Sequence, residues 1–180
     1  MPEYSIPFLA TLCFKFYVYF IFLEYQHIVA NIDGTKAGCT VLTLDMETKQ
    51  LLAKAPFFKG PKQHDKKLKP SYQKWAYLPD SKLLVNQETG NVAELLSDGV
   101  YAKNPISLND AAKMWNFENG LIENLTNSYV MDIDSGEQGS KIVANPVNYG
   151  RTQLWSFMDE KELQSKFNDV TIRACFFDCR

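Results

Sequence analysis

Histidine and cysteine are scarce in this 180-residue chain, and their placement excludes much chemistry. His27 and His64 are the two histidines, and neither has a nucleophile partner in a recognisable motif. The four cysteines, Cys13, Cys39, Cys175 and Cys179, form no C-x-x-C pair and no zinc spacing with the histidines, so no metal site is expected. There is no Gly-rich phosphate loop, and no cofactor is expected. Charge of one sign is missing too: 19 Lys and Arg stand against 21 Asp and Glu, a net charge of −2. No global field points to nucleic acid. The thiols read as free in a reducing compartment, which puts a cytoplasmic location slightly ahead of a secreted one. A Cys175–Cys179 bridge in a secreted protein is the alternative. Without a catalytic constellation, the chain is not expected to be an enzyme.

Long apolar runs are also rare, with one exception. Residues Phe8 to Leu23 are apolar apart from Thr11 and Lys15. The run is short for a membrane span and lacks the basic lead and cleavage site of a signal peptide. Phe, Tyr, Val and Ile dominate from Phe14 to Phe22, which is strand chemistry. It reads as a buried strand behind an irregular extension. A targeting or anchoring segment is the alternative, and it leaves membrane contact open.

Aromatic residues are abundant, and they are spaced regularly. Trp75, Trp115 and Trp155 follow one another at intervals of 40 residues, each with an aromatic two positions on: Tyr77, Phe117 and Phe157. Gln73 and Gln153 stand two before the first and third Trp, and Lys113 holds that place in the middle copy. Ahead of each Trp lies a Val-x-polar-aliphatic segment. These read Val29-Ala30-Asn31-Ile32, Val92-Ala93-Glu94-Leu95 and Val130-Met131-Asp132-Ile133. In copies one and three an acid follows (Asp33, Asp134), then Gly38-Cys39-Thr40-Val41 and Gly139-Ser140-Lys141-Ile142. Aliphatic pairs precede the segments: Phe20-Ile21, Leu83-Leu84 and Leu121-Ile122, with Asn86 and Asn124 just after the second and third.

Short apolar segments at regular spacing, broken by Gly, Asn, Asp and Pro, predict an all-β fold. Alternation along the third segment puts Val130, Asp132 and Asp134 on one face and Met131 and Ile133 on the other. Helical arrays need a 3.6-residue apolar stripe, and the repeats carry none. Three copies are too few for an ordinary propeller but suit a closed threefold barrel. The tryptophans are expected to be core residues.

These marks resemble the ricin B-chain-like lectins with Q-x-W repeats, over roughly Phe20 to Phe157. The best matched piece runs from Trp115 to Asn124, similar to the family's W-x-[FY]-x-x-G-x-I-x-N step. The resemblance implies a β-trefoil with three pseudo-repeats of about 40 residues. It also implies a shallow sugar pocket per repeat: an Asp for sugar hydroxyls, an aromatic platform for the ring's apolar face, and an Asn before the Q-x-W. Copy three keeps Asp132 and Gln153, has Asn145 near the platform position, and offers Asn148 and Tyr149 in the same loop. Thr152 replaces the Asn. Copy one has Asn31 for Asp, Leu44 near the platform position and Tyr72 before Gln73; copy two has Glu94 and Lys113. The implied sugar site is therefore Asp132, Asn145, Asn148, Tyr149 and Gln153.

The expected organisation is an apolar extension over 1–19, a trefoil over 20–157 and a C-terminal extension over 158–180. Copy one carries a long basic loop, 46–71, with Lys49, Lys54, Lys59, Lys62, Lys66, Lys67 and Lys69. In the C-terminal extension, Asp159 to Phe167 reads as a short helix and Val170 to Phe177 as a strand or buried tail. Asn124-Leu125-Thr126 is a glycosylation sequon at a repeat position, read as chance. The expected function is a carbohydrate-binding module for a sugar or glycoconjugate. The alternative is a degenerate trefoil serving as an interaction scaffold, with the lysine-rich loop meeting an acidic protein.

Overall fold

The computed structural model describes residues 23–30, 40–58, 69–105, 110–137 and 139–166. Several expectations lie outside them: the run before Leu23, Asn31 to Cys39, the lysines between 59 and 68, the tail beyond 166, and all four cysteines.

Twelve short strands follow one another. They are β1 (Gln26–Ala30), β2 (Val41–Leu44), β3 (Leu51–Lys54), β4 (Lys74–Leu78), β5 (Leu83–Asn86) and β6 (Val92–Leu96), then β7 (Gly99–Lys103), β8 (Trp115–Glu118), β9 (Leu121–Asn124), β10 (Val130–Ile133), β11 (Ile142–Asn145) and β12 (Trp155–Met158). All pairings are antiparallel. One sheet runs β3-β2-β1-β4-β5-β6-β7 with β12 on β1, and a second runs β11-β10-β9-β8. Six strands form a barrel: β12 pairs β1, β1 pairs β4, β4 pairs β5 and β8 pairs β9. Single backbone bonds join the two sheets, Trp115 N–H to the Lys82 carbonyl and Trp155 N–H to the Gly120 carbonyl, both at 2.7 Å. The other six strands form three hairpins, β2–β3, β6–β7 and β10–β11. A six-stranded barrel with three hairpins is a β-trefoil, as the resemblance implies.

Each Trp is buried and joins barrel to hairpin. Trp75, Trp115 and Trp155 are 0%, 0% and 2% exposed. Their indole N–H groups donate to the carbonyls of Leu42, Ala93 and Met131 at 3.0, 2.9 and 3.0 Å. Buried indoles need such a partner, and here the partner is always the middle of a hairpin strand.

This threefold correspondence corrects the register of copy one. Leu42, not Ala30, is the counterpart of Met131, so the hairpin segment is Val41-Leu42-Thr43-Leu44. The stretch beginning at Val29 is barrel strand β1, which pairs with β12 from His27↔Met158 to Ala30↔Trp155. The turn acid of copy one is Asp45, whose N–H donates to Gln50 as that of Asp134 donates to Lys141. Leu44 is a core residue, 1% exposed, and not near a platform. The 46–71 segment is likewise not one long loop, because Leu51–Lys54 pairs with β2. Leu51 and Ala53 point into the core, an alternation that the lysines around them obscure. Alternation holds along β10, with Met131 and Ile133 in the main core and Asp132 against Gln153 on the other face. All four of its residues are buried, while Asp134 is exposed. One face meets the barrel core and the other lies under the 3-10 turn Arg151–Gln153.

Asn124 is fully buried. Its amide donates to the Ala112 and Met114 carbonyls at 3.0 and 3.3 Å, and its Oδ1 accepts from Thr126 N–H at 3.0 Å. Asn86 does the same for Tyr72 and Lys74 in the preceding copy. A glycan on Asn124 would remove one of those donors and fill space the core occupies. Expressed through a secretory route, the folded fraction is expected to carry no glycan at Asn124. Mass spectrometry of the folded and aggregated fractions checks this, and a modified folded fraction would contradict the packing.

The chain after β12 caps the barrel flank. Residues 160–166 are helical, matching the helix expected there. Asp159 caps it, accepting from Glu162 N–H at 2.8 Å, and Lys74 pairs with Glu160 at 2.8 Å. Leu163 is fully buried against Val29, Val41, Met158 and Phe58.

On β1, opposite Met158, His27 is 1% exposed, with no protein partner on Nδ1. Burial pushes its imidazole below the ordinary range, and the Lys74 ammonium adds to this; Glu160, the Met158 backbone and Asp159 pull the other way. The folded state therefore resists the proton that the unfolded chain accepts. Stability is fully present above the unfolded value of about 6.5 and is lost as pH falls through and below it. The shifted carboxylates Asp45, Glu88 and Glu160 are held low by their partners, so their losses come at lower pH. Leu83 and Leu121 occupy the matching places in copies two and three, so His27→Leu should fit. Thermal melts between about pH 7.5 and 5.5 are expected to fall for the native chain and flatten for the variant. Parallel curves would show that His27 is not the group responsible.

Candidate functional site

The third hairpin presents a buried carboxylate. Asp132 is 6% exposed on β10. Its Oδ2 accepts from the Asn145 amide and the Gln153 amide, both at 3.0 Å. Its Oδ1 is buried and takes no hydrogen bond from the protein. A carboxylate has lone pairs for about four donors, so half its capacity is unused.

Gln153 is the hinge of the arrangement. Its amide also donates to the Pro146 carbonyl at 3.1 Å, and its Oε1 accepts from Asn148 N–H at 2.8 Å. One side chain thus fixes the carboxylate and both ends of the loop opposite. Asn148 Oδ1 accepts from Gly150 N–H across the turn at 2.6 Å, and a Cβ at Gly150 would sit 2.7 Å from that oxygen. Tyr149, between them, has a φ of 55° and is 69% exposed. That conformation is uncommon for a bulky residue, and here the loop's own hydrogen bonds impose it. Val147 on the same loop is 40% exposed. The structure therefore brings Asp132, Asn145 and Gln153 into direct contact. It joins Asn148 to them through its backbone and carries Tyr149 on the same loop as an exposed ring. Asn145 acts as a positioning donor to the carboxylate rather than a platform.

The equivalent places in the other copies spend their polar groups internally. In copy one, Gln73 donates to Thr43 Oγ1 at 3.1 Å and to the Ala55 carbonyl at 2.8 Å, and its Oε1 accepts from Phe57 N–H at 2.7 Å. Thr43, not Asn31, is the counterpart of Asp132. It is 1% exposed, and its hydroxyl donates to Val41. In copy two, Lys113 replaces the Gln and pairs with Glu94 at 3.8 Å and Asp110 at 3.9 Å. The longer carboxylate and the cation form a matched exchange for Asp and Gln. In the sequence Glu94 and Lys113 read as two separate departures from the repeat; the fold brings them together as partners. Of the lysines in 46–71, Lys54 pairs with Asp45 at 3.9 Å and Lys69 with Glu88.

Among the described residues no cluster of His, Cys, Asp and Glu could hold a metal, and no helix is long and apolar enough to cross a membrane.

The fold places the chain among β-trefoils, and comparison with solved structures agrees. It is similar to the C-half of an earthworm R-type lectin in complex with GalNAc, at 17% identity and a TM-score of 0.59, covering 76% of this chain and 99% of that one. It is also similar to the agglutinin from Abrus precatorius, at 14% identity and a TM-score of 0.59, covering 77% and 49%. A designed threefold-symmetric protein, ThreeFoil, matches at 14% identity and a TM-score of 0.56, covering 75% and 98%. No family model and no curated protein matches the sequence.

Proposed function

We propose that this chain is a non-catalytic carbohydrate-binding protein with one sugar site, in the third repeat. The observation that carries this reading is the Asp132 carboxylate, held by Gln153 and Asn145 with Oδ1 unpartnered, where Gln153 also holds the 146–150 loop that exposes Tyr149. Adjacent sugar hydroxyls are donors that such an oxygen accepts, and an exposed ring suits the apolar face of a pyranose. The earthworm lectin, with the same fold, is in complex with GalNAc. Protein atoms cover Oδ1, so a sugar reaches it only when neighbouring groups give way. Copies one and two lack a spare carboxylate, since Thr43 is not acidic and Glu94 is paired with Lys113. The domain we assign spans 20–157, with the 160–166 helix packed on it as the start of the extension.

A glycan array bearing terminal galactose and GalNAc tests the reading, with stoichiometry measured by calorimetry on any ligand found. One sugar per chain is expected. Failure of the folded chain to bind any glycan would overturn the function, and two or three per chain would overturn the assignment to one repeat.

A further inference from the structure

The barrel end away from the hairpins carries a second feature, independent of the Asp132 site. Tyr77, Phe117 and Phe157 stand two residues beyond the three tryptophans, toward the turns that link β4 to β5 and β8 to β9. They are only partly buried, and they line one cavity of about 330 Å³. That volume is at the small end of ligand sites. Phe117 meets Phe157 edge-on, with centroids 4.9 Å apart and planes at 88°; Tyr77 is 6.3 Å from Phe157 at 35°. The three rings thus form a corner rather than a stack. Gln26 and the exposed Glu24 line the same cavity, and Glu24 is the only charged residue among those lining it.

We propose that this corner binds the trimethylammonium group of a choline-type ligand. Aromatic faces carry negative potential and attract cations, and quaternary ammonium groups are the cations they hold best. A primary ammonium is compact and strongly hydrated, and it loses more on leaving water. Methylated nitrogen is nearly spherical and sheds water easily, so it fits ring faces that meet at steep angles. A pyranose is flat and needs one broad platform with several convergent polar groups, which this corner does not offer. Glu24 supplies the counter-charge at the rim. The same carboxylate disfavours a phosphate beside the choline, so free choline is preferred over phosphocholine.

The full chain would be titrated with choline, phosphocholine and the neutral isostere 3,3-dimethylbutan-1-ol, following aromatic ring signals by NMR. Saturable shifts of Tyr77, Phe117 and Phe157 with choline are expected, with the isostere about tenfold weaker or more. Glu24→Gln, an exposed change that leaves the fold intact, is expected to weaken choline several-fold and leave the isostere unchanged. Phe157→Leu should abolish the choline response, with the thermal melt reporting whether the barrel persists. Tighter phosphocholine binding would reverse the preference for the free ligand. Equal binding of choline and its isostere, or no saturation by choline up to about 50 mM, would overturn the proposal.

Discussion

Asp132→Ala is expected to lower glycan affinity by roughly ten- to a hundredfold while leaving the trefoil folded. Hydrogen bonds to a charged group contribute about 1.5–3 kcal/mol each, and a tenfold change in affinity is about 1.4 kcal/mol. The structural cost is smaller. Gln153 keeps its bonds to Pro146 and to Asn148 N–H, and Asn145 is only half-buried, so its freed amide can reach water. A loss of about 1 kcal/mol of stability is expected. Asp132→Asn is the sharper variant, because shape is kept and charge is not. Its amide would face the Asn145 and Gln153 donors or lie buried without an acceptor, so sugar binding should fall almost as far. Calorimetry on the array-identified glycan, with melts of both variants, separates the two effects. Full affinity in Asp132→Asn would sink the role assigned to the carboxylate.

Much of the fold was readable because the tryptophans recur on one period. Each indole must find a buried acceptor, so Trp, hairpin and the turn before Trp travel together, and the repeat survives even where Gln becomes Lys. The candidate residues Asp132 and Gln153 were readable for the same reason, since both lie at fixed offsets from Trp155. Copy one was misread because its hairpin acceptor stands 33 residues before Trp75, against 22 and 24 in the other copies. The extra length falls between hairpin and Trp. Searching nearer the expected start of the repeat found Val29, a barrel strand with a similar local pattern, instead of Val41. What the polar residues do with one another was not legible. Asn145 as a donor to Asp132, and Lys113 as the partner of Glu94, depend on which strands the barrel places side by side. A one-dimensional pattern gives their positions but not their pairing.

The three tryptophans should separate stability from binding. Trp→Ala at any of them removes a large buried side chain and is expected to cost about 3–5 kcal/mol. At about 2–4 °C per kcal/mol for a domain of this size, the melt should fall by roughly 10 °C or more. Trp→Phe keeps most of the ring and removes the N–H, leaving the carbonyl of Leu42, Ala93 or Met131 without that donor, at a cost of about 1–3 kcal/mol. The three Phe variants should lose stability to a similar extent, since their acceptor distances agree within 0.1 Å. Their effects on sugar should differ. Met131 immediately precedes Asp132, so a shift of its carbonyl moves the carboxylate against Gln153. Leu42 and Ala93 precede Thr43 and Glu94, whose polar groups are already taken up by the protein. Trp155→Phe is therefore expected to weaken glycan binding several-fold, while Trp75→Phe and Trp115→Phe leave it unchanged. Matching melts with matching affinities across the three would mean that the sugar site is not tied to the third hairpin.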